Sequence, residues 1–139
     1  MIQRVLILCT GNSCRSQMAE GILRHYGRDR FEVFSAGTKP SKVNETAVQV
    51  MKEIGIDISG HRSKHVSEFA GQSFDYVITV CDNAKESCPV FPGKSRHLHL
   101  PFPDPPHARA ADEQTLEEFR RVRDLILETF RKAAREGFV

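Results

Sequence analysis

Residues 4–23 read RVLILCTGNSCRSQMAEGIL, and this stretch decides the fold. Residues 4–9 form an almost continuous apolar run, which is typical of a strand buried on both faces of a parallel sheet. The residues that follow place an apolar stripe on one side of a helix: Met18, Ala19, Ile22, Leu23 and Tyr26. The stretch therefore predicts a strand, a short loop and a helix, with Cys9 at the carboxyl end of the strand.

The rest of the chain continues this alternation of strands and helices. Apolar runs predict strands over 31–37, 74–81 and 97–100. Helical periodicity predicts helices over 44–55 and 112–136. Strands that alternate with helices in short units favour one α/β domain over residues 1–139, built on a small doubly wound parallel sheet.

Turn and capping residues mark the ends of these elements. Asn44 is a predicted N-cap and Gly55 a predicted stop for the second helix, and Thr115 with Glu118 forms a candidate capping box. The proline-rich residues 101–106, PFPDPP, are incompatible with a helix or a central strand because proline removes backbone donors.

Composition limits the class of protein. The net charge is only +2, without a basic stripe that interleaves with aromatic residues, which argues against nucleic acid as the partner. The chain shows neither a signal-peptide pattern nor the roughly 18 consecutive apolar residues of a membrane helix, so we expect a cytosolic protein. Thiols stay reduced in the cytosol, so its four cysteines favour catalysis, redox exchange or metal binding over structural disulfides.

Cys9 and Arg15 flank a loop that suits an anion. Five residues separate them, and the loop leads into a helix N-terminus, whose free N–H groups and dipole attract negative charge. Gly11 and Asn12 tolerate the positive φ that curls such a loop, and Arg15 adds a two-pronged donor. The same environment predicts a lowered pKa for Cys9, and Ser16 is a candidate donor to its thiolate. The competing interpretation is a buried apolar Cys9 and a surface Arg15.

Three reactive residues fall at the same predicted edge of the sheet. Cys9 ends the first strand, Cys81 ends the third and Asp104 follows the fourth. Ligands of doubly wound sheets bind beyond the carboxyl ends of the strands, so we expect the site at this edge.

Three short motifs resemble a known family. CTGNSCRSQMAEG at 9–21, SAG at 35–37 and Asp104 with Pro105 resemble the low-molecular-weight protein tyrosine phosphatases, and within that fold family the thioredoxin-coupled arsenate reductases. The resemblance implies a three-layer fold with four parallel strands and helices on both faces. It also implies an arsenate- or phosphate-like oxyanion as substrate, no bound cofactor, and an external thiol reductant, either thioredoxin or a glutaredoxin-type protein. We expect a monomer.

Cys81 and Cys88 form a second pair, seven positions apart. Their spacing differs from the Cys-x2–4-Cys of zinc knuckles, and no histidine pair follows at ligand spacing. Idle buried thiols are a further alternative, since Cys81 closes an apolar strand. A redox pair is the interpretation we favour, because thiols in series can pass on oxidising equivalents by exchange.

The arsenate reductase resemblance gives these residues roles. Cys9 attacks the arsenic, Asp104 protonates the departing oxygen, Cys81 then attacks Cys9, and Cys88 attacks Cys81. The substrate-binding residues it implies are Thr10, Gly11, Asn12, Ser13, Cys14 and Arg15. Because bridged cysteines need Cα atoms within about 7 Å, we expect segment 82–90 to rearrange on oxidation.

Two other functions compete with arsenate reduction. A phosphotyrosine phosphatase would use Cys9, Arg15 and Asp104, although Pro106 stands where that family usually has an aromatic pocket residue. Weak phosphatase activity is compatible with either enzyme, because the loop suits phosphate equally well. A non-catalytic oxyanion-binding or redox-sensing module is the third interpretation, and it predicts binding without turnover.

The resemblance also raises a cation site and an internal bridge. Asn12, Glu20 and Ser35 match positions that hold potassium in some of these reductases. Arg62 and Lys64 stand where the remaining ligands are expected, so we predict no bound metal, with one of these two cations supplying the charge. Cys14 is interpreted as a packing residue, with a Cys9–Cys14 bridge as the alternative.

Overall fold

Strands and helices alternate along the chain as the sequence predicts. The computed structural model describes residues 2–81, 91–106 and 112–138. In chain order the elements are β1 (Gln3–Cys9), α1 (Arg15–Tyr26), β2 (Phe31–Gly37), α2 (Glu45–Lys52), a 3-10 helix (Val66–Phe69), β3 (Tyr76–Thr79), β4 (Arg96–His99) and α3 (Glu113–Glu136).

All four strands are parallel, and their order is β2-β1-β3-β4. Val5 of β1 pairs with Val33 of β2 and with Tyr76 of β3, and Cys9 pairs with Gly37. From β1 the chain continues to β2 on one side, and from β3 it continues to β4 on the other side. The direction of the strand order therefore reverses between β1 and β3. The carboxyl ends of β1 and β3 therefore flank the crevice where a doubly wound sheet binds ligands.

The sheet is covered on both faces, which confirms the three-layer prediction. On one face the rings of Phe31 and Tyr76 contact Phe138, with centroids 5.4 and 5.0 Å apart, and α1 and α3 pack together there. On the other face Phe34 contacts Phe69 of the 3-10 helix, at 5.5 Å. Because both faces are packed, β1 is apolar at every position from Val5 to Cys9 rather than alternating.

The second helix is shorter than its periodicity indicates. The side chain of Asn44 accepts hydrogen bonds from Thr46 N and Ala47 N, which confirms the predicted N-cap. The helix ends at Lys52, and the chain leaves through a turn in which Gly55 has a φ of 78°. Gly55 thus marks the end of the turn that follows the helix.

The cap of α3 differs from the prediction. Asp112 Oδ1 accepts a hydrogen bond from Thr115 N at 2.8 Å, so Asp112 is the N-cap and the capping box of Thr115 with Glu118 is wrong. Thr115 and Asp112 are both acceptable cap residues, and the extra turn at the N-terminus of the helix decides between them.

The proline-rich residues 101–106 form neither helix nor strand, as predicted. They follow β4 and bring Asp104 to the edge at which β1 and β3 end. Among the helices of the described residues, none has the length and apolar character needed to cross a membrane.

Candidate active site

Two of the predicted thiols meet at the crevice between β1 and β3. Cys9 and Cys81 are 4% and 5% exposed, and the pairing of β1 with β3, which continues to the hydrogen bond from Val80 N to Leu8 O, places them next to each other. The hydroxyl oxygen of Thr10 lies 3.4 Å from the sulfur of Cys81. Parallel pairing of the two strands thus brings together residues that are far apart in the chain.

The contact between these thiols changes the ionisation of Cys9. The interaction with the Cys81 thiol raises the pKa of Cys9, and burial raises it further. The guanidinium of Arg15 and the backbone N–H of Thr10 lower this pKa, but they are outweighed. The prediction of a lowered pKa is therefore wrong, because a second sulfur competes for the same charge. The pair resists carrying two negative charges at once.

Backbone hydrogen bonds hold the loop between Cys9 and Arg15 from its outer side. Segment 38–44, which follows β2, donates three of them: Lys39 N to Thr10 O at 2.8 Å, Ser41 N to Gly11 O at 3.0 Å and Asn44 N to Ser13 O at 3.1 Å. In a trans peptide the carbonyl and the next N–H point in opposite directions. The N–H groups that follow these carbonyls are therefore directed to the inner side of the loop, as the predicted anion cradle requires.

Asn12 fixes the curvature of this loop. It is fully buried and has a φ of 48°, as its residue type allows. Its Oδ1 accepts hydrogen bonds from Lys64 N at 3.1 Å and Gln17 Nε2 at 3.0 Å. Its Nδ2 donates to Ser16 at 2.8 Å and to Ser35 at 2.9 Å. With every side-chain hydrogen bond made, Asn12 is held in the left-handed conformation.

Three residues that hold the loop in place were not predicted from the sequence. Gln17 Nε2 and Ser63 Oγ donate to the carbonyl oxygen of Asn12 at 3.1 and 2.6 Å, and His61 Nδ1 lies 2.9 Å from Gln17 Oε1. Residues 16–23 are all buried, so helical periodicity gives no sign that Gln17 has a polar task. His61 and Ser63 lie in a loop, where residue type alone does not reveal the partner.

Gly37 lets β2 and the loop approach each other. A Cβ atom at this position would lie 2.5 Å from Thr10 O and 3.0 Å from Asn12 N, both backbone atoms. Any other residue would therefore force the loop to move. This contact is the physical reason for the glycine of the SAG motif at 35–37.

Arg15 links the cradle to the proline-rich segment. Its Nη1 donates to Phe102 O at 3.1 Å, and its Nη2 lies 3.3 Å from Asp104 Oδ1. Its Nε is buried and lacks a hydrogen-bond partner among the residues that the structure describes. A tetrahedral oxyanion is a suitable acceptor for such a donor. The half-exposed Asp104 thus reaches the edge at which the predicted acid is needed.

Ser16 and Cys14 flank the start of α1. Ser16 is fully buried and accepts the hydrogen bond of Asn12, which leaves its own proton for a second acceptor; donation to Cys9 stays a prediction. Cys14 is 2% exposed, and burial raises its pKa to about 12. A protonated, buried thiol supports the interpretation of Cys14 as a packing residue.

Cys88 lies outside the described residues, as does the whole of segment 82–90. Its role in the redox pair and the rearrangement of that segment stay predictions.

The residues around Glu20 do not fit a bound potassium ion. Lys64 Nζ lies 3.9 Å from Glu20 Oε1, and the hydroxyl of Ser35 donates to the same oxygen. Asn12 Oδ1 already accepts two hydrogen bonds. Oxygen atoms that are occupied by donors, with an ammonium group beside them, do not make a cation site. Arg62, the other candidate cation, is exposed and pairs with Glu68 at 2.6 Å.

Comparisons with known proteins agree with this geometry. The profile of the family described as low molecular weight phosphotyrosine protein phosphatase matches residues 4–136. An arsenate reductase of Halalkalibacterium halodurans is 44% identical over 133 residues, which cover 96% of each chain. An arsenate reductase solved in its phosphate-binding state is 32% identical, with a TM-score of 0.74 and coverage of 99% of this chain and 100% of that one. The thioredoxin-dependent arsenate reductase of Corynebacterium glutamicum is 28% identical, with a TM-score of 0.69 and coverage of 99% and 64%.

Proposed function

Since the chain belongs to the low-molecular-weight phosphotyrosine protein phosphatase family, we propose that it is an arsenate reductase, which reduces arsenate to arsenite through three of its cysteines. The cradle from Thr10 to Arg15 binds the tetrahedral oxyanion. Its inward N–H groups and the buried Nε of Arg15 supply donors that such an anion needs.

The first step forms a bond between Cys9 and arsenic. Cys9 loses its proton to solvent and attacks as a thiolate, while Cys81 stays protonated. One As–O bond breaks, and Asp104 gives its proton to the departing oxygen, which leaves as water. Arsenic stays pentavalent in this adduct.

The second step transfers the electrons. Cys81 then releases its proton to solvent and attacks the sulfur of Cys9 as a thiolate, and the pair of electrons of the S–As bond goes to arsenic. Arsenic becomes trivalent and leaves as arsenite, and a Cys9–Cys81 disulfide forms. Two thiol sulfurs have been oxidised and one arsenic atom has been reduced by two electrons.

The third step returns Cys9 to its starting state. Cys88 attacks Cys81, Cys9 leaves as a thiolate, and a Cys81–Cys88 disulfide results. An external dithiol then reduces this disulfide. We favour thioredoxin as the reductant because the similar enzyme of C. glutamicum is thioredoxin-dependent, and a glutaredoxin-type protein is the alternative.

The single observation that carries this proposal is the placement of two buried thiols, Cys9 and Cys81, side by side at the carboxyl ends of the paired strands β1 and β3. A phosphatase needs one nucleophilic cysteine and has no use for a second thiol against it. A reductase needs a second thiol within reach of the first one, since that thiol must attack the sulfur of the Cys9–arsenic adduct to break the S–As bond.

The test is turnover of arsenate with thioredoxin, thioredoxin reductase and NADPH. We expect sustained arsenite production by the wild type and by a Cys14→Ser control. Cys88→Ser should release about one arsenite per enzyme and then stop, because the Cys9–Cys81 disulfide is not passed on. Cys81→Ser should release none. Sustained turnover by Cys81→Ser would contradict the proposal.

Phosphatase activity is the second candidate function, and the 3.3 Å contact of Arg15 with Asp104 favours it as a weak side activity. The same cradle, nucleophile and acid suffice to hydrolyse an aryl phosphate. Hydrolysis without arsenate reduction, and indifferent to Cys81→Ser, would make the chain a phosphatase. Phosphate binding without either reaction would indicate a non-catalytic module.

The remaining expectations concern the setting of the enzyme. A reductant of the thioredoxin type requires a compartment in which thiols stay reduced, which supports a cytosolic location. We also expect a monomer without a bound cofactor, since all reacting groups of the scheme come from one chain.

A further inference from the structure

A buried carboxylate lies directly behind the anion cradle. Glu20 of α1 is 4% exposed, and the hydroxyl of Ser35 donates to its Oε1. Three basic side chains approach it: Arg24 at 3.0 Å, His61 at 3.8 Å and Lys64 at 3.9 Å. Burying an ionised carboxylate is costly unless positive charge and donors surround it.

Lys64 differs from the other two bases in burial and in its second contact. Its side chain is 13% exposed, whereas that of Arg24 is 52% exposed and approaches Glu20 from the solvent side. The ammonium of Lys64 also donates to Arg62 O at 3.2 Å. Burial lowers the pKa of Lys64, and Glu20 opposes that effect. Burial likewise lowers the pKa of His61, so imidazole is a poor substitute for the ammonium charge.

Lys64 reaches the cradle by two routes. Its backbone N–H donates to Asn12 Oδ1 at 3.1 Å. Its ammonium lies beside Glu20, which accepts from Ser35, and Ser35 in turn accepts from Asn12 Nδ2 at 2.9 Å. Both sides of the Asn12 amide therefore depend on Lys64, one through the backbone and the other through the charge on Glu20.

We propose that Lys64 is a positioning residue for oxyanion binding, whose ammonium is the resident cation behind the cradle and takes the place of a metal ion. Its charge balances the buried carboxylate of Glu20, which keeps Ser35 oriented, and Ser35 in turn holds the side chain of Asn12. The inference rests on the oxyanion binding that the proposed function requires, and it does not depend on the thiol relay.

The test is calorimetric binding of inorganic phosphate to the reduced, full-length protein. Lys64→Met removes the charge and keeps most of the volume, and we expect the Kd for phosphate to rise about tenfold or more, as typical for a lost coupling of this kind. Arg62→Met is the matched control, because that side chain is exposed and pairs with Glu68. An equal Kd in the two variants would overturn the proposal.

Two further variants separate charge from shape. In a Glu20→Gln background the ammonium has no carboxylate to balance, so adding Lys64→Met should change the phosphate Kd by less than about twofold. This double variant also remains testable if Lys64→Met alone does not fold. An equally large loss in both backgrounds would show that Lys64 does not act through Glu20.

Rescue by a small cation gives an independent readout. In Lys64→Ala, ammonium ions should restore much of the phosphate affinity, and tetramethylammonium, which is too large, should not at equal ionic strength. The wild type should respond to neither ion. A lost affinity that ammonium leaves unrestored would overturn the assignment. Failure of arsenate turnover in the wild type would refute the proposed function, and this binding comparison would still stand.

Discussion

The hydroxyl oxygen of Thr10 lies 3.4 Å from the sulfur of Cys81, so the anion cradle contacts the thiol that must attack in the second step. Thr10 is also the residue whose N–H approaches the sulfur of Cys9. One residue therefore touches both members of the thiol pair, with its backbone on the nucleophile and its side chain on the thiol that follows.

Thr10→Val should slow arsenite release. The change removes the hydroxyl and keeps the shape, so Cys81 loses a hydrogen-bond partner when it becomes a thiolate. We expect kcat for arsenate to fall about tenfold, the size of one lost hydrogen bond to a charged group. Rapid-quench measurement of arsenite should place the loss in the step after adduct formation. A larger loss in phosphate affinity than in kcat would contradict this.

Cys81→Ala should make Cys9 more reactive towards iodoacetamide. Cys81 is the main reason that the pKa of Cys9 is raised, and a raised pKa means less thiolate at neutral pH. Removal of Cys81 should shift the pH dependence of Cys9 alkylation to lower pH and increase the rate at pH 7. Mass spectrometry of the modified peptide measures this. A slower or unchanged rate would show that Cys81 does not hold the proton on Cys9.

Gly37→Ala should disable the cradle. The added methyl group would lie 2.5 Å from the carbonyl oxygen of Thr10, so the loop must shift, and we expect phosphate affinity to fall by a factor of about ten or more. Gly60→Ala is the matched control, since a Cβ there meets no atom within 4 Å. Equal affinities in the two variants, measured by calorimetry, would disprove the packing argument.

Asp104→Asn should show whether Asp104 is the general acid, because the loss of activity should then depend on the leaving group of the substrate. Phenyl phosphate needs protonation of its leaving oxygen far more than p-nitrophenyl phosphate does. We therefore expect hydrolysis of phenyl phosphate to fall about a hundredfold and that of p-nitrophenyl phosphate much less. An equal loss for both esters would indicate that Asp104 only positions Arg15, which it approaches at 3.3 Å.

The buried thiol of Cys14 should make the protein less stable in alkali. Burial raises its pKa from 9.0 to about 12. Below pH 9.0 the thiol of Cys14 keeps its proton in both the folded and the unfolded protein. Between pH 9.0 and about 12 only the unfolded chain releases this proton, so the free energy of unfolding falls as pH rises. Cys14→Ala should flatten this fall by at most about 1.4 kcal/mol per pH unit. The measurement is urea unfolding between pH 8 and pH 10 in the presence of reductant. Free energies of unfolding that fall in parallel for the two proteins would contradict the prediction.

The fold could be predicted because its signals are local. The apolar runs, Asn44 and the prolines of 101–106 act within a few residues, and the structure agrees with them. The cap of α3 was misread because Thr115 and Asp112 are both good cap residues, and the helix begins one turn earlier than the capping box implies, so that Asp112 accepts from Thr115 N. The end of α2 was misread by three residues because Gly55 ends a turn rather than the helix itself.

The site could be predicted only in part, because its electrostatics depend on distant residues. Cys9 and Asp104 were found because they follow strands, and Arg15 because it lies at the start of a helix; the structure brings all three to one edge. The pKa of Cys9 was predicted in the wrong direction, since the residue that raises it, Cys81, lies just beyond β3 and is distant from the loop in the sequence. Gln17 was missed because it lies in a stretch of α1 that is buried throughout.

The three backbone hydrogen bonds from segment 38–44 have a consequence for selectivity. A cradle of peptide N–H groups recognises the tetrahedral shape and charge of an oxyanion, and arsenate and phosphate share both. In any solution that contains both anions, phosphate therefore competes with arsenate for the same binding site. Arsenate reduction slows as the ratio of phosphate to arsenate increases. Discrimination comes after binding, because thiols reduce pentavalent arsenic and leave phosphorus unchanged. Arsenate is chosen by its redox chemistry rather than by its fit.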